Sequence, residues 1–408
     1  MVDLKISRSD LIQLLPNEDS SQLEEIFSYL AWSVICEPGD GFAGMVINAL
    51  GAKAALANEL HGIDVTKIKT SLLASGLGLQ EIEKHGNFEK AYLTARERWR
   101  PRVSLELVRV AIYKLQKLNG FTMTPVHDNW PQQLNDLELH APMALWVRGN
   151  RESLAQLENS VAVVGCRGSS AYGESATQSM VSALVEKGIS VVSGGAYGID
   201  GVAHRSALAM RGNTVAVMAG GVDKFYPTGH TDLLKRISET GAVMSELPPG
   251  AIPSKWRFLQ RNRLIAALSQ ATLVVEANWR SGSLNTVSHA ERLQREVFAV
   301  PGPVTSPKSA GTNKLIADRR AELVIDGRDF LERLGVERRG VTQQELAGMG
   351  AIETRVLDAL GYNALELAEI CAEAGLTRDE AKFGLSILEL EGIVLRRDTI
   401  WTRSQTTV

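Results

Sequence analysis

Two hydrophobic periodicities divide the chain. Over its first 118 residues apolar positions recur at three- and four-residue spacings, as at Leu23, Ile26, Phe27, Leu30 and Ala31. That is the repeat of helices with one buried face. Glu37-Pro38-Gly39-Asp40-Gly41 interrupts it, and helical pattern resumes over 44–60 and 105–118. The turns Leu50-Gly51 and His61-Gly62 are similar to those of SAM and helix-hairpin-helix modules, although plain helical packing is the preferred reading over direct DNA contact. From Ser160 the period changes. Short apolar runs at 161–164, 189–192, 214–218, 242–244, 272–275, 297–300 and 323–325 alternate with helical stretches. This alternation predicts an α/β fold with a doubly wound, mainly parallel sheet, covered by helices on both faces and binding ligands at the carboxyl ends of its strands. The segment 120–149, with Trp130-Pro131 and Ala141-Pro142 ahead of Ala144-Leu145-Trp146-Val147, predicts extra strands with an architectural role.

Toward the C-terminus, 335–350 is rich in charge and glycine and reads as a linker. Three short helical patterns follow at 352–360, 364–374 and 378–391. Two apolar runs around a polar turn then predict a hairpin over 392–402. Three helices and a hairpin make a winged helix. Its third helix opens with Asp379 and Glu380 and has only Arg378 and Lys382 nearby as basic residues, which favours protein contact or self-association over DNA reading. The expected organisation is a helical N-terminal domain at 1–118, an α/β domain at 119–334, a linker at 335–350 and a winged-helix domain at 351–408.

Composition narrows the function classes. No uninterrupted apolar run approaches the roughly 18 residues that a membrane span needs, and Asp3, Lys5, Arg8 and Asp10 break up what a secretory signal would require. Cytoplasmic residence is the expectation, with no membrane partner. The net charge of −3 gives no overall attraction to nucleic acid, so any basic surface must be local. Cys36, Cys166 and Cys371 are too far apart in sequence to suggest zinc or a disulfide framework. They read as structural thiols, with a reactive thiolate as the alternative for Cys166 beside Arg167. No metal or cofactor is implied.

The candidate chemistry lies in the turns that end the strands. Gly165-Cys166-Arg167-Gly168-Ser169, Ser193-Gly194-Gly195-Ala196-Tyr197-Gly198, Ala219-Gly220-Gly221-Val222-Asp223-Lys224 and Ser281-Gly282-Ser283 each present small residues at a helix start. Exposed amides and the positive end of a helix dipole favour phosphate there, and several such cradles in one rim suit an extended polyanion. Arg167 stands where a dinucleotide site needs a small residue, so it reads as a phosphate clamp rather than a mere ion-pair partner. Lys224, close to Tyr226, pairs a charge with a stacking face, though Asp223 and Tyr226 serve equally as turn cap and core. The strongest local signal is 252–263. It carries Lys255, Arg257, Arg261, Asn262 and Arg263 interleaved with Trp256 and Phe258, and no acidic residue lies between Glu246 and Glu276. Cations among aromatic rings neutralise phosphates and stack bases, which fits a nucleic-acid strand better than a solvated helix start. His204, His289, Asp200, Asp223 and Glu276 form no recognisable catalytic triad or metal set. No catalytic residue is assigned, and His204 reads as structural.

These motifs, in this order, resemble the DprA/Smf family of DNA-processing proteins. The resemblance rests on Gly165-Cys166-Arg167 with Tyr172-Gly173, Ser193-Gly194 with Gly198-Ile199-Asp200 and Ala203-His204, and Gly221-Val222-Asp223 with Tyr226-Pro227. It continues through Ser245-Glu246 with Pro248-Pro249-Gly250, Arg261-Asn262-Arg263-Leu264-Ile265-Ala266, Ser281-Gly282-Ser283-Leu284, Pro301-Gly302 and Gly311-Thr312-Asn313. It covers 120–330 firmly and the flanking domains by layout. It implies a Rossmann-like core that binds single-stranded DNA, forms a homodimer and helps load RecA recombinase during natural transformation, without catalytic turnover. It also implies DNA contacts at Arg167, Lys224, Arg261 and Arg263, with backbone amides supplied at Gly194, Gly221 and Ser281. The chain departs from the family pattern in two places. Gly195-Ala196-Tyr197 stands where many relatives have Leu-Ala-Arg, which leaves Tyr197 to stack on a base, and His230 stands where asparagine is frequent. The rival reading is a nucleotide phosphoribohydrolase. That class relies on a Pro-Gly-Gly-x-Gly-Thr loop followed by a catalytic glutamate, whereas the corresponding segment here reads Ser281-Gly282-Ser283-Leu284-Asn285-Thr286.

Overall fold

A computed structural model of the protein describes residues 4–61, 65–74, 87–336, 350–361, 363–390, 393–397 and 399–403. The turn at Gly62, positions 337–349 of the linker, and Gly392 and Asp398 of the hairpin lie outside the described residues. The chain divides into two compact units, Met1–Val336 and Glu337–Val408.

In the first unit the described residues form a nine-stranded sheet. Its strands are β1 (Phe121–Met123), β2 (Leu145–Gly149), β3 (Ser160–Val164), β4 (Ser190–Ser193), β5 (Thr214–Val217), β6 (Ala242–Ser245), β7 (Ala271–Val274), β8 (Glu296–Ala299) and β9 (Glu322–Leu323). Their spatial order is β1-β2-β6-β5-β4-β3-β7-β8-β9. Pairing is parallel from β6 across to β9. The 120–149 segment contributes β1 and β2, both antiparallel, with Trp146 opposite Ser245 of β6. The strands are short and almost wholly buried, which explains why they read as continuous apolar runs rather than alternating ones.

Winding reverses at the β3/β7 junction. The chain proceeds from β3 toward β6 on one side and from β7 toward β9 on the other. The crossover helices Ala171–Glu186 and Ile199–Ala209 pack with Val161 and Val163 on one face. Helices Lys255–Leu268 and Ser283–Arg292 pack with Ala162 and Val164 on the other. Such a reversal opens a crevice at the carboxyl ends of the two diverging strands.

The N-terminal helices extend the core of this same unit. Leu23–Ile35, Gly41–Leu50 and Phe88–Trp99 enclose Trp32, Tyr92 and Trp99, with the Trp32 and Trp99 rings edge to face at 5.3 Å. Their core is continuous with Trp146 of β2, Ala216 of β5 and Val243 of β6, and the Trp146 indole N–H donates to Ser33 Oγ at 3.2 Å. The break at 37–41 is a helix start, because Asp40 Oδ1 accepts from the amides of Phe42 and Ala43. Helix Gly41–Leu50 lies so close to the turns of Gln132–His140 that a Cβ on Gly44 would meet the Leu139 carbonyl oxygen.

The second unit is a winged helix. Helices Ala351–Leu360, Leu367–Ala374 and Arg378–Leu390 enclose Val356, Leu360, Ile370, Leu385, Leu388, Val394 and Trp401. Strands β11 (Val394–Arg397) and β12 (Ile400–Arg403) form the expected hairpin, and a short strand β10 (Leu365–Glu366) pairs with β12. The helical pattern at 364–374 therefore begins later than its periodicity predicts. Glu366 and Glu369 form a reciprocal cap that starts the helix at Leu367, which leaves Leu365 extended.

Candidate nucleic-acid interface

A groove of about 980 Å³ opens at the β3/β7 crevice. Gly165, Arg167 and Gly168 follow β3 on one side. Asn278, Arg280, Ser281, Gly282 and Ser283 follow β7 on the other, and Lys308 closes one end. A further wall is helix Lys255–Leu268, capped by Ser254, whose side chain accepts from the Arg257 amide at 3.3 Å. Lys255, Phe258, Leu259 and Asn262 sit one helical turn apart and line the groove together.

The helical repeat also separates the basic residues of this segment. Arg257 turns away from the groove and makes a bidentate pair with Glu37, at 2.8 and 3.1 Å. Arg263 is buried, and its Nη2 donates to both Glu246 carboxylate oxygens at 2.6 and 2.5 Å. Both cations tie the site helix to carboxylates at the junction with the N-terminal helices, where Glu246 also accepts from the Gly39 amide. Arg261 forms the groove floor. Its Nη1 donates to the carbonyls of Gly194, at 2.8 Å, and Val217. Burial lowers its pKa to about 10, opposed by the nearby Asp200 carboxylate, and it stays charged at neutral pH. Phe258 stands between the guanidinium carbons of Arg167 and Arg261, 5.2 and 5.7 Å from its ring centre, with the tilted Tyr226 ring at 5.7 Å. Such contacts hold an exposed arginine in place over an aromatic face.

All four expected amide cradles have amides engaged inside the protein. Asp200 Oδ2 accepts from the amides of Gly194 and Ala196, at 3.2 and 3.4 Å. The buried Glu276 carboxylate sits at the start of helix Ala171–Glu186 and accepts from the Ser170 amide at 2.9 Å and its hydroxyl at 2.5 Å. In the third turn the Gly221 amide donates to the Ala251 carbonyl, while Asp223 accepts from Gly250. An anion at a helix N-terminus is favourable whether it comes from a ligand or from the chain. Here the chain supplies it at Gly194 and Ser170, while carbonyls answer the Gly221 amide and the Ser281 amide, which donates to Asn278 at 3.0 Å, so the expectation of open amides at Gly194, Gly221 and Ser281 is corrected. The fourth turn differs only in the space around it, since its Ser281 and Ser283 amides donate to the Asn278 carbonyl and to Ser281 Oγ. Ser281 and Ser283 hydroxyls face each other at 2.7 Å, and a Cβ at Gly282, like one at Gly168 across the groove, would meet no protein atom within 4 Å.

The titratable groups near the groove are set for structure. Burial and the adjacent Glu276 push the Cys166 thiol up to about 11, which removes the reactive-thiolate alternative at neutral pH. Burial takes His204 down to about 3, and its Nδ1 pairs with Thr214 Oγ1 at 2.8 Å. Among the described residues no group of three or more His, Cys, Asp or Glu is placed to hold a metal ion.

Residues 121–335 match the family described as DNA recombination-mediator protein A, and residues 342–398 match the DprA winged helix domain. The chain belongs to this family. The putative DNA processing protein DprA of Mycobacterium tuberculosis (strain ATCC 25618 / H37Rv) is 41% identical over 303 residues, 70% of this chain and 78% of that one. Protein Smf of Escherichia coli (strain K12) is 42% identical over 194 residues, 47% of this chain and 51% of its own length. Among solved structures, the X-ray structure of DprA from Streptococcus pneumoniae superposes with a TM-score of 0.57 at 29% identity, covering 74% of this chain and 95% of that one.

In this DprA/Smf family member the fold brings Arg167, Gly168, Lys255, Arg261, Asn262, Ser281, Gly282 and Ser283 to one groove. Ser169, Gly194, Gly195, Tyr197, Gly220, Gly221, Lys224, Arg257 and Arg263 lie outside its lining. The two departures from the family pattern pack on each other. The Tyr197 ring meets His230 edge to face at 4.8 Å, its hydroxyl accepts from the Gly229 amide, and His230 Nδ1 faces the Gly195 carbonyl at 3.0 Å. Sequence reasoning missed Arg280 and Lys308 as groove cations. Arg280 immediately precedes the Ser281 turn and was legible there. Lys308 reaches the groove only through tertiary folding, with its Nζ donating to the Ser169 carbonyl at 3.0 Å.

Proposed function

We propose that the groove holds single-stranded DNA and that the protein is a recombination mediator, protecting incoming strands and helping to load RecA during natural transformation. In this reading it acts in the cytoplasm as a homodimer and does not turn its ligand over. The observation that carries the proposal is the groove's charge and surface. Arg167, Lys255, Arg280, Lys308 and the floor Arg261 surround a cleft whose lining carboxylate, Asp200, is buried against backbone amides. Phe258 and the exposed Tyr226 line the same cleft, and the exposed Trp279 adjoins Arg280. Cations set among accessible rings suit phosphates flanked by unpaired bases, and a duplex conceals the base faces that such rings would stack on. Membership in a recombination-mediator family supports the same ligand.

The deciding experiment is a titration with a labelled single-stranded oligonucleotide and with a duplex of equal length, each at two salt concentrations. The expected result is salt-sensitive binding that prefers the single strand. Equal binding of both forms, or none of either, overturns the proposal and directs attention to small nucleotides and phosphoribohydrolase assays.

A further inference from the structure

A second cleft, of about 530 Å³, lies on the other side of the site helix's first turn. Its walls are Phe42, Met45 and Leu139 from the N-terminal region and its border, Arg98 from helix Phe88–Trp99, His140, and Trp256. Trp256 is 57% exposed, a larger apolar surface left in water than that of Leu259 on the same helix, at 43%. We infer that this cleft is a second base-binding subsite for the strand held in the main groove, with Trp256 as its stacking platform. The inference rests on the proposed path of single-stranded DNA and adds the N-terminal helices to it.

Adjacency is the first support. Lys255 lines the main groove and Trp256 lines the second cleft, so consecutive residues of a single helix reach the two. A strand whose phosphate meets Lys255 needs no further protein to reach the indole beside it. Charge is the second. The carboxylates at the back of the cleft are occupied, Glu37 by Arg102 and Arg257 and Asp40 by the Trp99 indole N–H and two amides. What remains accessible is aromatic and cationic, since Arg98, in a long ion pair with Asp40 at 3.8 Å, keeps its side chain 58% exposed. Rigidity is the third. The Arg257–Glu37 pair pins the helix to the far wall, and His140 Nδ1 donates to the Gly39 carbonyl at 2.8 Å. A cleft lined by an exposed indole suits a flat base, while Arg98 in the same cleft and Lys255 beside it supply charge for the phosphates.

The test is binding of labelled oligo-dT in a series of about 4 to 16 nucleotides, the range of single-strand site sizes. Wild type should gain affinity at the length that first reaches the cleft. Trp256→Ala should bind the shortest ligands normally and lose about tenfold on the longer ones, as loss of one stacked base predicts. Trp256→Phe should retain most of that gain, and Arg98→Ala should lose part of it. An unchanged length dependence in Trp256→Ala, or an equal loss at every length, overturns the subsite and leaves the main groove standing. A wild type that binds no length at all removes both readings.

Discussion

Arg167 and Arg263 show how one residue type takes opposite roles under different surroundings. Arg167 stands exposed on the groove rim over Phe258, whereas Arg263 is enclosed against Glu246. Arg167→Ala should weaken single-strand binding for every base composition alike and make the logarithmic salt slope shallower by about 0.7, one phosphate contact on a single strand. Salt titrations of the two proteins on oligo-dT and a mixed sequence check this. Arg263→Ala should act on stability first, because it leaves Glu246 charged and buried without its partner, at a cost of about 3 to 5 kcal/mol, readable in a denaturant melt. His204 sets an acid limit. Its folded pKa of about 3 lies below the ordinary 6.5, so the unfolded chain takes up a proton that the folded one refuses. Stability is therefore full above pH 6.5 and falls as pH drops toward 3. Between pH 6.5 and 5 this one group accounts for about 2 kcal/mol. His204→Asn should show a flatter dependence of unfolding midpoint on pH across that window.

At the scale of elements, the strands were legible because each is short, apolar and bounded by small residues, a pattern with few other solutions. Their order was legible only as a class. The site helix shows why the candidate site was half readable. The chain sequence shows that Lys255, Arg257, Arg261 and Arg263 are cations within one stretch, but their separation between groove and junction follows from the helical repeat and from Glu37 and Glu246, far away in sequence. The amide cradles failed to open for a related reason. A turn motif specifies where amides point, not whether another part of the chain answers them, and Glu276 lies 106 residues from the Ser170 amide it accepts from. The packing of helix Gly41–Leu50 on the turns of Gln132–His140 is equally invisible in sequence and depends on Gly44. Gly44→Ala should force helix Gly41–Leu50 off the Leu139 carbonyl and cost about 3 kcal/mol, the upper part of the range for overpacking. A fall in urea midpoint checks it.

For the whole molecule, the net charge of −3 and a cationic groove belong together, because the attraction is local. With Arg167, Lys255, Arg280 and Lys308 each meeting a phosphate, the logarithmic salt slope should be about −3. A slope near zero in the same titration refutes ionic contact as the source of affinity. The Glu276 carboxylate at the helix start has a consequence for selectivity. The best phosphate seat in a doubly wound fold is already taken, and by a group that cannot leave. A free mononucleotide carries a short cluster of negative charge, and under the proposed function it should meet no seat at the Ser170 amide, which Glu276 already holds. A long chain of phosphates can collect many contacts at once. On the proposed reading the built-in carboxylate acts as a permanent resident inhibitor of small metabolites, and binding should follow polymer length rather than the nucleotide pool.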